Sequence, residues 1–265
     1  VTAKALARSV LPPLLFGVAF LVLWQVVVRA FDVKPYLFVA PSDIFRAFVD
    51  NWHLVRRAMI VTGTNALVGM LVGTAIGVLM SFLLLRFRLL DELLTPLAIA
   101  VNAIPIFVLV SVFNNMFSTT SEVPRRLMVT LVVYFVVLIN VARGLRQVDA
   151  THMELMHSYA ASPWTIMRKV RIPNAVPYLF TAVKIAAPLA VITAYVSEYF
   201  GGPQEGLGSR ITSNMATAKK ANGWAYVAGA CLLGLLFYAI SIIMESVTAR
   251  GGARDRRGAS PGGRR

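Results

Sequence analysis

Long runs of this chain carry almost no charge, and a polypeptide can bury such runs in few ways. The stretch "VLPPLLFGVAFLVLWQVVVRA", Val10 to Ala30, holds Arg29 as its only charged residue. Crossing a bilayer's hydrocarbon core takes ~20 apolar residues in helical form. Further runs of this kind follow, and the charged residues gather between them. Charged residues make up only 14% of the 265, and 57% are hydrophobic. A soluble domain would carry about a quarter charged. The pattern predicts an all-α polytopic membrane protein.

Six spans can be drawn. They cover about Val10–Ala30, Ala58–Leu85, Leu93–Phe117, Val123–Ala142, Pro177–Phe200 and Trp224–Met244. Pro96 and Pro105 interrupt the third, Arg125 and Arg126 open the fourth, and Pro188 lies within the fifth. Proline removes a backbone hydrogen bond and bends a helix. In a membrane that is tolerable where neighbours or water make up the loss, so Pro105 and Pro188 fit a gated pathway or a static bundle. Lys4 and Arg8 before the first span resemble the start of a signal peptide, but no small-residue cleavage pattern follows, so the span is read as retained.

The formal net charge is +14. Basic proteins often bind nucleic acid, but no recognition motif or stacking platform accompanies these charges. Many fall in "ARGGARDRRGASPGGRR", Ala249 to Arg265, whose composition predicts a disordered tail beyond a transmembrane domain covering 1–248. Basic residues beside spans hold topology and touch anionic lipid. An even span count puts both termini on one side. The basic tail, the Arg86–Arg88 turn and the stretch Arg143–Arg171 place that side in the cytoplasm, although Arg56, Arg57, Lys219 and Lys220 fall opposite. Cys231 is the only cysteine, so neither an intrachain disulfide nor a cysteine-based zinc site is available.

Within the second span, Asn65, Gly69, Gly73 and Gly77 recur every fourth residue. On a helix they form one ridge that lets another helix approach closely, within the subunit or between subunits.

Between the fourth and fifth spans lies a polar stretch, "VDATHMELMHSYAASPWTIMRKVRIP". Thr151 and Glu154 have the spacing of a capping box, which predicts a first short helix to about Tyr159. Ser162 as N-cap and Pro163 at the first helical position predict a second. Pro173 is expected to end it. The stretch reads either as an interfacial hairpin joining two spans or as a docking site for a soluble partner, with Met156, Tyr159 and Trp164 as its apolar surface.

The spacing resembles the coupling loop of bacterial ABC importer permeases, E-A-A-x3-G-x9-I-x-L-P. Glu154, Ala160, Val170, Ile172 and Pro173 take the Glu, Gly, Ile, Leu and Pro positions, while Leu155 and Met156 replace the two alanines. Alanine disfavours the positive φ that glycine would supply, which leaves the turn at Ala160 open. The surrounding text, with "AYVSEYFGGPQEGLGSRI" and "APSDIFRAF", is similar to the nitrate/sulfonate/taurine branch, although "NNMFSTTSEVPRRL" departs from it.

This resemblance implies the transmembrane subunit of a type I importer in the bacterial inner membrane. Two permeases, identical or sister chains, would enclose one pathway. Two cytoplasmic ATPases, holding ATP and Mg, would each accept one coupling loop (about 144–173). An extracytoplasmic binding protein would deliver a small solute, with a sulfonate, taurine or nitrate expected and a vitamin or pyrimidine precursor as the alternative. The sequence holds no phosphate-binding G-x-x-x-x-G-K-[ST] loop, so the chain itself is expected to be neither catalytic nor cofactor-bound. Glu154, Tyr159, Ala160, Ser162, Trp164, Val170, Ile172 and Pro173 are the expected coupling residues. Polar groups within spans are candidates for the pathway: Asn65, Asn102, Asn114, Lys184 and Glu198. Lys184 fits snorkelling to headgroups equally well, and the asparagines fit bonds between helices. A self-sufficient channel or carrier, or a membrane scaffold, would share the spans but not the coupling spacing.

Overall fold

The structure, a computed structural model, describes residues 3–87, 89–90, 92–93, 96, 100, 104–117, 121–201, 203 and 205–258. The elements are α1 (Ala3–Ala30), α2 (Pro41–Asp50), α3 (Trp52–Arg86), α4 (Ile106–Met116), α5 (Val123–Arg146), α6 (Ala150–Ser158), α7 (Pro163–Ile166), α8 (Ile172–Tyr199), α9 (Leu207–Ala216) and α10 (Lys220–Gly258). A π-helical turn, Met167–Arg171, joins α7 to α8.

Among the described residues, five helices are long and apolar enough to cross a membrane: Leu11–Ala30, Trp52–Arg86, Val123–Arg146, Pro163–Tyr199 and Lys220–Ser246. They correspond to five of the six expected spans, and much of the third, Leu93–Phe117, lies outside the described residues. The third expected span is described chiefly through α4, whose 11 residues rise only ~16 Å. Pro105 breaks this segment rather than bending it: its ψ of 129° leaves the helical region, and α4 starts after it. The helix that carries the fifth span does not start at Pro177: it is continuous from Pro163, in the hairpin. The boundary expected at 248 is not marked by a helix end either. α10 continues to Gly258, since each added residue gains a backbone bond once a helix exists. Residues 259–265 lie outside the described residues.

The glycine ridge settles how α3 packs. It meets α5 within the same chain, so the alternative of a face between subunits does not hold for these glycines. A Cβ on Gly73 would lie 2.6 Å from the Thr130 carbonyl and 3.0 Å from Val133 Cβ. One on Gly77 would lie 2.9 Å from the Tyr134 carbonyl. Ser81, one step further along the same ridge, donates to the Leu138 carbonyl at 3.2 Å. The matched positions rise together along both helices, so α3 and α5 run parallel. The chain between Phe87 and Glu122 must therefore connect opposite ends of the bundle.

Around this pair α8 packs on α5, and α10 on α8. Val133, Val137, Val141, Ala182, Ala186 and Ala190 are buried in their shared core. Small alanines on α8 let that helix sit close to its neighbours. The hairpin α6–α7 projects from one end of the bundle, and α2 and α9 lie at the other.

Replacing Gly73 by Val would push two methyl groups into the α5 backbone. Overpacking of this kind typically costs about 1–3 kcal/mol. Gly73→Val should lower the thermal midpoint of the purified chain in detergent, and an unchanged midpoint would contradict the close α3–α5 approach.

Candidate functional site

The hairpin α6–α7 is built from local caps. Asp149, not Thr151, is the N-cap of α6: its carboxylate accepts the Thr151 N–H at 2.8 Å. The expected capping box of Thr151 and Glu154 is thus not formed, because a carboxylate two residues upstream reaches the free amide first. Hydrogen bonds from Thr151 hold the Asp149 carboxyl below its ordinary range. Glu154 is left exposed.

Ala160 makes the turn. Its φ is +47°, its N–H donates to the His157 carbonyl at 2.9 Å, and the Ala161 N–H donates to the Met156 carbonyl at 3.0 Å. This pair of bonds is the Schellman closure, with alanine in the position that usually holds glycine. Ser162 then caps α7 as expected, accepting the Thr165 N–H at 3.3 Å, with Pro163 following.

Pro173 does not end the second helix. The π turn precedes it, and Ile172 donates to the Met167 carbonyl five residues back. In a regular α-helix the ring of Pro173 would strike the carbonyl four residues earlier. The wider turn relieves that conflict, so the helix passes from the hairpin into the membrane. Single π turns of this kind are common at functional sites.

At its base the hairpin is clamped to α5. Asn174 donates from Nδ2 to the Gly144 carbonyl at 2.7 Å and to the Gln147 carbonyl at 2.9 Å. Arg171 donates to the Leu145 carbonyl at 3.1 Å. These are the last carbonyls of α5 and its exit, which lack donors within the helix. Gly144 admits the Tyr178 ring, which would lie 2.8 Å from a Cβ there. The sequence reading missed Arg171, Asn174, Gly144 and Tyr178 in this role. The only signal was Asn174 falling directly after Val170-Arg171-Ile172-Pro173, the end of the loop pattern.

Of the expected coupling residues, Val170 and Ile172 are half-buried, and Glu154, Ala160, Ser162 and Pro173 are exposed. Tyr159 is 74% exposed and Trp164 69%, with Leu155 beside them at 49%. The hairpin therefore offers an apolar knob with a free carboxylate.

The expected pathway residues do not form one site. Asn65 is buried, donating to Glu122 at 2.8 Å and accepting from Arg126 at 3.1 Å. Glu198 is buried at the N-terminus of α9: its Oε2 accepts from Thr62 at 2.7 Å and from the Gly208 N–H at 3.1 Å. Thr62 in turn accepts the Leu207 N–H. An anion at a helix N-terminus is favourable, and a Cβ on Gly206 would collide with this carboxylate. Arg125, also buried, reaches Glu122 and the Gly201 carbonyl at 3.0 and 2.7 Å. Lys184 lies toward the hairpin end and pairs with Glu245 on α10 at 2.6 Å. Asn114 Nδ2 is buried near Gly201. Asn102 lies outside the described residues.

The comparisons agree with this architecture. Residues 73–250 match the family described as the binding-protein-dependent transport system inner membrane component, and the chain belongs to that family. It is a multi-pass permease subunit of an ABC importer. It is 27% identical to the formylaminopyrimidine transport permease protein ThiX of Halalkalibacterium halodurans over 245 residues, covering 89% of this chain and 94% of the relative. It is 29% identical to the riboflavin transport system permease protein RibX of Chloroflexus aurantiacus, covering 62% and 61%. An inward-facing structure of the MetNI methionine ABC transporter shares the fold, with a TM-score of 0.65 at 18% identity over 75% of this chain and 97% of that one. An amino acid ABC transporter also gives 0.65, at 14% identity over 76% and 97%.

A left-handed alanine costs about 1 kcal/mol relative to glycine. Ala160→Gly should tighten the turn, slowing hydrogen exchange at the 160 and 161 amides roughly fivefold. Unchanged or faster exchange would contradict the Schellman closure.

Proposed function

We propose that the α6–α7 hairpin is the docking element for a cytoplasmic ATPase subunit, and that the end bearing it, with both chain termini, faces the cytoplasm. The observation that carries this reading is the pairing of an exposed apolar knob (Leu155, Tyr159 and Trp164) with a base clamped to α5 through Arg171 and Asn174. A groove on the partner would cover the knob, and burying such aromatics supplies most of an interface's energy. Movement of the partner would then pass along the continuous helix into α8. Two permeases and two ATPases per importer, with ATP and Mg held by the ATPases, complete the assembly.

Exposed Glu154 is the charged contact. Glu154→Lys, or a charge in place of Ala160, should abolish uptake and substrate-stimulated ATP hydrolysis while the chain still inserts. Normal uptake by either variant in proteoliposomes would sink the docking role.

For cargo, the alternative reading is the better supported. The named relatives carry formylaminopyrimidine and riboflavin by their names, both nitrogen heterocycles, and neither is a sulfonate or nitrate. A small heterocyclic vitamin or pyrimidine precursor is therefore the proposed solute. The Arg125–Glu122 ion pair and the bonds of Glu198 to Thr62 and Gly208 serve helix packing in this conformation, and the binding protein sets selectivity. Calorimetric titration of the cognate binding protein should give micromolar or tighter binding to an aminopyrimidine or flavin, with taurine and nitrate silent. Binding of taurine or nitrate alone would restore the anion reading.

A further inference from the structure

At the end of the bundle opposite the hairpin, two cavities lie near the start of α10, one lined in part by residues within 224–232 and the other by residues 218–222. One, of about 490 Å³, is walled by apolar side chains of α1, α2 and α10, among them Leu21, Phe45, Val227, Cys231 and Leu232. The other, of about 590 Å³, is lined by Pro35, Tyr36 and residues 218–222, and Lys219 and Lys220 are its only charged lining residues. An aromatic cluster around Trp24 and Trp224 lines the first of them. The Trp24 ring lies 5.0 Å from Phe38 and 5.7 Å from Trp224.

The order along α10 is therefore lysines, then tryptophan, then aliphatic wall. From Trp224 to Leu232 the helix rises ~12 Å, which is close to half of a hydrocarbon core ~30 Å thick. Tryptophan at the water boundary is the usual membrane arrangement. The groove thus runs from the headgroup level into one leaflet.

Two observations specify an occupant. Lys219 is exposed and makes no ion pair among the described residues, while Lys220 spends one donor on the Met215 carbonyl at 2.9 Å. The mouth is thus cationic and unneutralised. Trp24 Nε1, in the groove wall just below, is buried with no hydrogen-bond partner. A buried unpaired N–H is costly and calls for an acceptor. A diacylglycerophospholipid supplies all three complements in the right order: an anionic headgroup at the lysines, an ester carbonyl at the indole, and an acyl chain along the aliphatic wall.

We propose that this groove is a specific site for one anionic glycerophospholipid, bracing α1 and α2 against α10. The sequence helps the test, because the chain has four tryptophans and one cysteine, and Trp24, Trp224 and Cys231 all line the groove. In a Trp52→Phe, Trp164→Phe background, tryptophan emission reports on the groove alone. The full chain would be reconstituted in phosphatidylethanolamine bilayers and titrated with acyl-brominated phosphatidylglycerol or acyl-brominated phosphatidylethanolamine. Brominated phosphatidylglycerol should quench at a several-fold lower mole fraction. Lys219→Glu with Lys220→Glu should abolish that preference while leaving total quenching at saturation. Equal quenching by the two lipids in the unaltered groove would overturn the proposal. So would an oxidant-induced Cys231 disulfide between chains in the same bilayers, which would show a second copy of the chain seated there instead.

Discussion

The carbonyls at the end of α5 need donors that α5 cannot supply, and the chain meets this need with side chains from the start of the next membrane helix. Asn174 bonds two of them and Arg171 a third. A helix end without such partners would be costly in a membrane protein, where water is not freely at hand. The solution has a mechanical consequence. The segment entering the membrane is fixed to the segment leaving it, at the base of the hairpin. The π turn at Met167–Arg171 adds to this by letting the chain pass Pro173 without a break. The knob of Tyr159 and Trp164 is thereby joined to α8 by continuous helix.

The rest of the bundle is held together by contacts away from the hairpin. α3 and α5 form a parallel pair held by the glycine ridge, with backbone so close that no Cβ fits at Gly73 or Gly77. At the far end, Glu198 ties α8 to Thr62 of α3 and to the start of α9, and Arg125 ties α5 to the Gly201 carbonyl. Glu198 Oε1 and Arg125 Nε are buried without a partner, but the bonds that the two side chains do make tie α3, α5, α8 and α9 together at this end. α8 is thus tied at both ends, to α5 beside the hairpin and to α3 and α9 at the other end.

Much of this was legible in the sequence where the determining contacts are local. Ser162–Pro163 reads as a helix start because the cap needs only residues three apart. The glycines at 69, 73 and 77 read as a packing face because helical geometry aligns them, although their partner, α5, did not. The remainder depends on contacts the sequence does not display. Thr151 and Glu154 matched a capping box, but Asp149 lay nearer the free amide. Ala160 takes a left-handed φ because two hydrogen bonds and the docked second helix offset the strain. Pro173 looked like a stop because α-helical geometry was assumed, and the π turn removes the clash. Arg171 passed for a basic flank, and Asn174 drew no notice until α5 was in place beside them. The third expected span shows another limit: the parallel α3–α5 pair requires the chain between them to reach the other end, and among the described residues there α4 is the one extended helix.

The clamp is best tested where docking and transmission can be separated. Arg171→Ala with Asn174→Ala removes all three bonds to α5 and leaves the exposed knob intact. In the reconstituted importer, the ATPase subunits should still co-purify with this permease. Uptake per ATP hydrolysed should fall at least about tenfold, the effect of losing ~1.4 kcal/mol of coupling. Uptake per ATP equal to that of the unaltered importer would contradict the account.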